Sequence, residues 1–161
     1  IRGTTMTIKN APFHILIENT TFLRIVRQVL GLPARGVALY PFIVLNPGLP
    51  ERTKQYILNH ELIHLRQYLD EYILGFLFTT LRESRRLKKR GFSKEERYTL
   101  LAKEQEAYIN MWDLGYLRRR KRRAHRFYRH DENKVAIEFR KDADGNVQSY
   151  LINGIEHSYS D

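Results

Sequence analysis

The hydrophobic and polar positions along this chain fall into two periods. Residues 12–19 (PFHILIEN) and 36–46 (GVALYPFIVLN) are short, apolar and rich in β-branched and aromatic side chains, which predicts strands. Pro41 lies inside the second run. Proline cannot donate to a ladder, so the strand over 37–45 is expected at a sheet edge or with a bulge. Between the two, TTFLRIVRQVLGLP (20–33) sets Phe22, Ile25, Val26, Val29 and Leu30 at helical spacing, and Gly31 with Pro33 ends the helix.

After the turn PGLP (47–50), with Pro50 suited to a first helical turn, a helix is expected from Glu51 to at least Glu71. It can continue to Lys89, with a weak point at Gly75. One stripe carries Leu58, Leu62, Leu65, Leu69 and Phe76; its neighbour carries Tyr56, His60, Ile63, His64 and Gln67. KKRGFS (88–93) breaks the pattern. SKEE (93–96) is a capping box, with Ser93 as cap, and predicts a second long helix from Lys94 to about Tyr116. VAIEF (135–139) and VQSYLI (147–152), joined by the turn-rich DADGN (142–146), predict a C-terminal β-hairpin. The expected fold class is α+β: a small sheet with an edge strand, packed on two long helices. Residues 1–124 form the principal domain, and 125–161 add a basic segment and the hairpin to it.

The sharpest chemical feature is HELIH, residues 60–64. Positions four apart share a helix face, so His60 and His64 can aim two imidazoles at one ion. Glu61 is turned from them by about 100°, where it can reach a metal-bound water without ligating the metal. The flanking Ile57, Leu58, Leu62, Ile63 and Leu65 are those of a buried helix. Two such histidines are costly to bury without a ligand. The plainer alternative is a histidine pair on an ordinary amphipathic helix.

With no cysteine in the chain, a transition metal must be held by His, Asp or Glu. A catalytic zinc site needs a third protein ligand. A third histidine six residues after His64 is excluded, because Asp70 stands there and Gln67 occupies the place where the chain would need glycine to turn. The remaining source is the second helix, LLAKEQEAYINMW (100–112), which offers Glu104 and Glu106. Glu104 shares its face with Leu100, Leu101, Ala107, Tyr108 and Met111; Glu106 shares a more polar face with Ala102, Lys103, Asn110 and Asp113. A carboxylate on an apolar stripe requires a cation, so Glu104 is the preferred ligand.

HELIH followed about forty residues later by EQEAY resembles the gluzincin branch of zinc metallopeptidases, and is similar to small bacterial and phage zincin-like proteins. The resemblance covers residues 36 to 112. It implies a zincin-like fold, Zn2+ bound by His60, His64 and Glu104, and Glu61 as general base. The small residue three after the third ligand matches Ala107. The next position, often Asp or Asn in that branch, is Tyr108, which leaves the partner of a ligand histidine unassigned. The resemblance also implies a peptide or protein substrate added along an edge strand, for which residues 38–46 are the candidate.

Charge widens the set of partners. Lys and Arg number 28 against 18 Asp and Glu, giving a formal charge of +10. RRLKKR (85–90) and the run Arg118–Arg129 hold much of the excess, which favours an anionic partner, nucleic acid first. Phe127 and Tyr128 could stack on bases. His125 and His130, within the same stretch, are expected to be solvated. No apolar run is long enough to span a bilayer, and no signal peptide is visible, so a cytoplasmic or virion-associated protein is expected. YILGFLFTTL (72–81) before RRLKKR is apolar then basic, a pattern seen at membrane surfaces. A non-catalytic zincin-like binding or structural module is the alternative function.

Overall fold

The structure, a computed structural model, describes residues 8, 10–30, 35–144 and 147–159. It is α+β. The first sheet contains β1 (Ile15–Glu18), β2 (Gly36–Leu39) and β3 (Phe42–Leu45) in the order β1-β3-β2, with β1 parallel and β2 antiparallel to β3. The single strand expected over 37–45 is therefore a hairpin. Pro41, which has no N–H for a ladder, sits in its turn after a cis Tyr40–Pro41 bond. β1 and β2 are the two edges, while β3 is central. α1 (Thr20–Leu30) joins the two halves of this sheet. Its expected stop at Gly31 and Pro33 lies outside the described residues.

The sheet packs on α2 (Glu51–Lys89). Ile43 and Leu45 on one side, and Ile57, Leu62, Ile63 and Leu65 on the other, are almost fully buried and form one cluster. α2 is two helical segments meeting at Tyr72, whose backbone (φ 57°, ψ 164°) is not helical. The break falls three residues before the expected weak point, Gly75. Contacts from other elements hold it: Asp70 takes up Arg120 and the N–H of Arg123, and Glu71 takes up Lys103 and His125. Tyr68 and Phe76 stack with ring centroids 3.9 Å apart, whereas eight residues of straight helix separate their ends by about 12 Å.

The second long helix is also interrupted. α3 (Lys94–Leu100) begins with the expected capping box, Ser93 and Glu96 bonding reciprocally. The chain leaves helical geometry at Leu101 (φ −61°, ψ 131°) and restarts as α4 (Ala102–Asn110), followed by a short α5 (Tyr116–Arg119). The restart is held by Glu83, which accepts the orphan N–H of Ala102 at 3.1 Å. Glu104 consequently lies in the first turn of a new helix.

The C-terminal hairpin is a three-stranded meander: β4 (Ile137–Lys141), β5 (Val147–Ile152) and β6 (Ile155–Ser158). The third strand follows Asn153-Gly154, both at positive φ (50° and 78°), the two-residue turn that suits a hairpin. Ile137, Tyr150 and Tyr159 join the same hydrophobic cluster as Ile43 and Leu62. In the DADGN turn Asp142 accepts the N–H of Asp144; its last two residues lie outside the described ones.

Candidate metal centre

The first segment of α2 carries His60 and His64 one turn apart, and α4 crosses it with Glu104. The two Nε2 atoms are 3.0 Å apart. Glu104 Oε2 lies 3.5 Å from His60 Nε2, and Oε1 lies 3.4 Å from His64 Nε2. These three side chains form a group able to hold a metal ion. The fit is metric as well as chemical. A tetrahedral ion bound at about 2.0–2.1 Å implies ligand–ligand separations of about 3.3 Å. Two imidazole nitrogens at hydrogen-bond distance also compete for a single proton position. Glu104 Oε2 is buried without a hydrogen-bond partner among the described residues, as an oxygen waiting for a cation would be.

Charge at the centre is strongly coupled. Burial works to lower the His64 pKa, but the Glu104 carboxylate beside it, then Glu61 and Gln67, more than reverse this and hold it at about 9. Burial would raise Glu104, yet the two histidines keep it well below the usual carboxylate range. Glu61 goes the other way: burial pushes its carboxyl up, against the pull of both histidines. Glu61 accepts a hydrogen bond from the backbone of Ala38 on β2. The same edge comes so near that a Cβ at Gly36 would stand 2.6 Å from Leu45, 2.9 Å from Ile57 and 3.1 Å from Glu61 Oε1, so glycine is required there.

A supporting layer lies behind the ligands. Gln67 Oε1 is 2.9 Å from His64 Nδ1, and its amide donates to Lys103 O (3.1 Å) and Glu106 Oε2 (2.9 Å). Glu106 does not sit on a polar face. It is fully buried and takes up Arg120 and the hydroxyl of Tyr116 (2.9 Å). Asp70 accepts from the other end of Arg120 at 2.8 Å. Neither Glu106 nor Asp70 points at the histidines.

The basic run is not a free strip. Arg119 pairs with Asp113, Arg120 with Glu106 and Asp70, and Arg129 with Glu71. Arg123 bonds Asp70 through its backbone N–H at 2.8 Å. His125, expected to be solvated, is fully buried with Nε2 2.9 Å from Glu71 Oε1, outside the group of His60, His64 and Glu104. His130 is exposed.

Beside His60 and Glu61 is a cavity of about 20 Å3, walled by Tyr98, Tyr108, Tyr150, Tyr159 and Arg35. The Tyr108 ring lies 4.5 Å from that of His60. Sequence reasoning singled out Tyr108 but missed Arg35, Tyr98, Tyr150, Tyr159 and the role of Gln67. Only Asn153-Gly154 offered a signal for part of this, since it announces the hairpin between Tyr150 and Tyr159. The chain matches no protein-family model, no curated protein and no solved structure.

Proposed function

We propose that this chain is a zinc-dependent peptidase of gluzincin type, with a zincin-like arrangement of β2, α2 and α4. The observation that carries the reading is the triangle of His60 Nε2, His64 Nε2 and a Glu104 oxygen, with sides of 3.0–3.5 Å. Two imidazoles and a carboxylate, without thiolates, suit zinc. Bound there, zinc supplies a Lewis acid that polarises a substrate carbonyl and acidifies water.

The chain's own residues supply the rest. Glu61, adjacent to the ligands in sequence but not among them, is the general base that takes a proton from the attacking water and passes it to the leaving amine. Its raised pKa suits a group that must both accept and release a proton. Ala38 fixes one side of that carboxylate. The free edge of β2, not the segment 38–46 as a whole, is the place for an extended peptide to pair. Tyr108, packed on His60, is placed to orient that ring.

One observation favours a second reading, a metal-stabilised binding module. At about 20 Å3 the cavity beside Glu61 accommodates little more than a water molecule, so a peptide requires the tyrosine wall to move. The test separates the two. Zinc content is measured on the purified protein and on a His60→Ala/His64→Ala variant. Peptide cleavage and hydroxamate binding are then compared with Glu61→Gln. A peptidase binds one zinc per chain, loses it in the double variant, and keeps it in Glu61→Gln while losing cleavage. Zinc retention without hydroxamate binding or cleavage would favour the module, and a zinc-free protein would sink both.

A further inference from the structure

The second segment of α2, residues 73–89, inverts the ordinary arrangement of a surface helix. Its inward face is polar in large part. The hydroxyls of Thr79 and Thr80 meet Lys103 Nζ at 2.6 and 3.2 Å, and Glu83 meets Lys134 Nζ at 2.8 Å. Its outward face carries Leu74, Leu77, Phe78 and Leu81, exposed by 81, 53, 65 and 50%. These four sit at i, i+3, i+4 and i+7, one continuous stripe. Tyr72 and Ile73 extend it at the break. A contiguous exposed apolar stripe on a globular body marks a surface made to be covered.

The cations that follow say what covers it. Arg82, Arg85, Arg86, Lys88 and Lys89 are all exposed, and none makes an ion pair among the described residues. Glu83 is the one acidic residue between Glu71 and Glu95, and Lys134 already holds it. Beside the helix, Phe78 and Leu81 floor a groove of about 710 Å3 rimmed by Arg82, Arg85, Lys89 and Arg129. A second copy of the chain would match the apolar stripe but bring no acid from this segment to the cations. A nucleic acid would engage the cations and leave Leu74, Leu77 and Phe78 in water.

We propose that residues 73–89 dock the protein on an anionic lipid bilayer. The helix segment, about 25 Å long, lies in the plane of the interface. Leu74, Leu77, Phe78 and Leu81 enter the acyl boundary, and Arg82, Arg85, Arg86 and Lys89 meet headgroup phosphates. No described helix is long and apolar enough to cross a membrane, so the contact is peripheral. The surface does not depend on the metal centre and stands whether or not zinc is bound.

The test is cosedimentation of the full chain with phosphatidylcholine vesicles, with and without about 30% phosphatidylserine. The expected result is pelleting with the anionic vesicles, at least about tenfold weaker binding to the neutral ones, and release by salt. Leu77→Asp/Phe78→Asp should abolish pelleting. Arg82→Glu/Arg85→Glu should weaken it at least about tenfold. All four side chains are exposed, so both variants are expected to keep the wild-type circular dichroism and melting temperature. Absence of pelleting with anionic vesicles, or equal pelleting of either variant, overturns the proposal. So does a dimer in light scattering that Leu77→Asp/Phe78→Asp dissolves, which would assign the stripe to a second copy.

Discussion

Glu104 and Glu106 stand two residues apart on α4 and face different partners, the first a histidine pair and the second an arginine. Glu104 lies 3.4–3.5 Å from the two histidine Nε2 atoms, while Glu106 lies beneath them, closed around Arg120. The helix rotates by about 200° over two residues, which suffices to aim one carboxylate at the histidine pair and the other at Arg120. Their substitutions should therefore fail in different ways. Glu104→Ala should lose bound zinc. Glu106→Ala leaves Arg120, whose side chain is only 3% exposed, with Asp70 as its one carboxylate, and should cost about 3 kcal/mol of folding stability. Elemental analysis beside denaturant melts checks both. Equal loss of zinc in two well-folded variants would contradict the assignment.

Gln67 gives the second prediction. Because its amide N–H groups are committed to Lys103 and Glu106, its oxygen must face His64 Nδ1 as an acceptor. That fixes the His64 tautomer with its proton on Nδ1 and leaves Nε2 free to ligate. Gln67→Leu should weaken zinc binding by about 10–100-fold with the fold retained, measured by competition with a chromophoric chelator. Unchanged affinity would show that Gln67 only fills space.

The sequence exposed the parts of this site that depend on local spacing. His60 and His64 were legible because four residues make one helical turn, and Glu104 because its neighbours on the helix are apolar. The parts set by tertiary contact were not. Tyr72 carries no glycine or proline signal; its break shows only once Phe76 is seen stacked on Tyr68. Leu101, a good helix former, leaves the helix because Glu83 caps the next turn. The burial of Glu106 is not legible from its helix neighbours Ala102, Lys103 and Asn110, because the cation that satisfies it, Arg120, arrives from the basic run. Pro41 was recognised as incompatible with a central strand, but a turn satisfies that constraint as well as an edge does.

Glu71 ties part of the fold's stability to pH. Burial would raise its pKa, but Thr79, Lys103 and His125 together bring it down to about 2 from an ordinary value of 4.5. Arg129 adds a contact at 2.8 Å. A carboxylate with a lowered folded pKa contributes stability that is fully present above its unfolded pKa. That contribution is lost as pH falls from about 4.5 toward about 2. Glu71→Gln should therefore be less stable than wild type at pH 7, by at least about 2 kcal/mol given the buried Lys103 left behind. The gap should narrow below pH 4.5 and close near pH 2. Urea melts across this range measure it, and a gap that widened toward low pH would refute the account.

The run Arg118–Arg129 holds eight cations, which suggests a nucleic-acid strip. Arg119, Arg120 and Arg129 pair with Asp113, Glu106, Asp70 and Glu71, and Arg123 leans on Asp70. The run works as a strap that ties the chain after α5 to α2 and α4. Arg118, Lys121, Arg122 and Arg126 remain on the exposed surface. Neutralising a phosphate releases counterions, so each contact adds about −0.9 to the slope of log K against log salt. Four contacts from this run contribute about −4 to that slope, whereas all eight would contribute about −7. Fluorescence anisotropy of a labelled DNA duplex, titrated at several salt concentrations, reads the slope directly. Arg118→Gln/Arg122→Gln should lower it by about two with the fold intact, because both side chains point to solvent. Arg120→Gln should instead destabilise the protein, by leaving Glu106 buried without its guanidinium. A stable Arg120→Gln protein with weakened DNA binding would mean that the strap opens and presents its inner arginines to the nucleic acid.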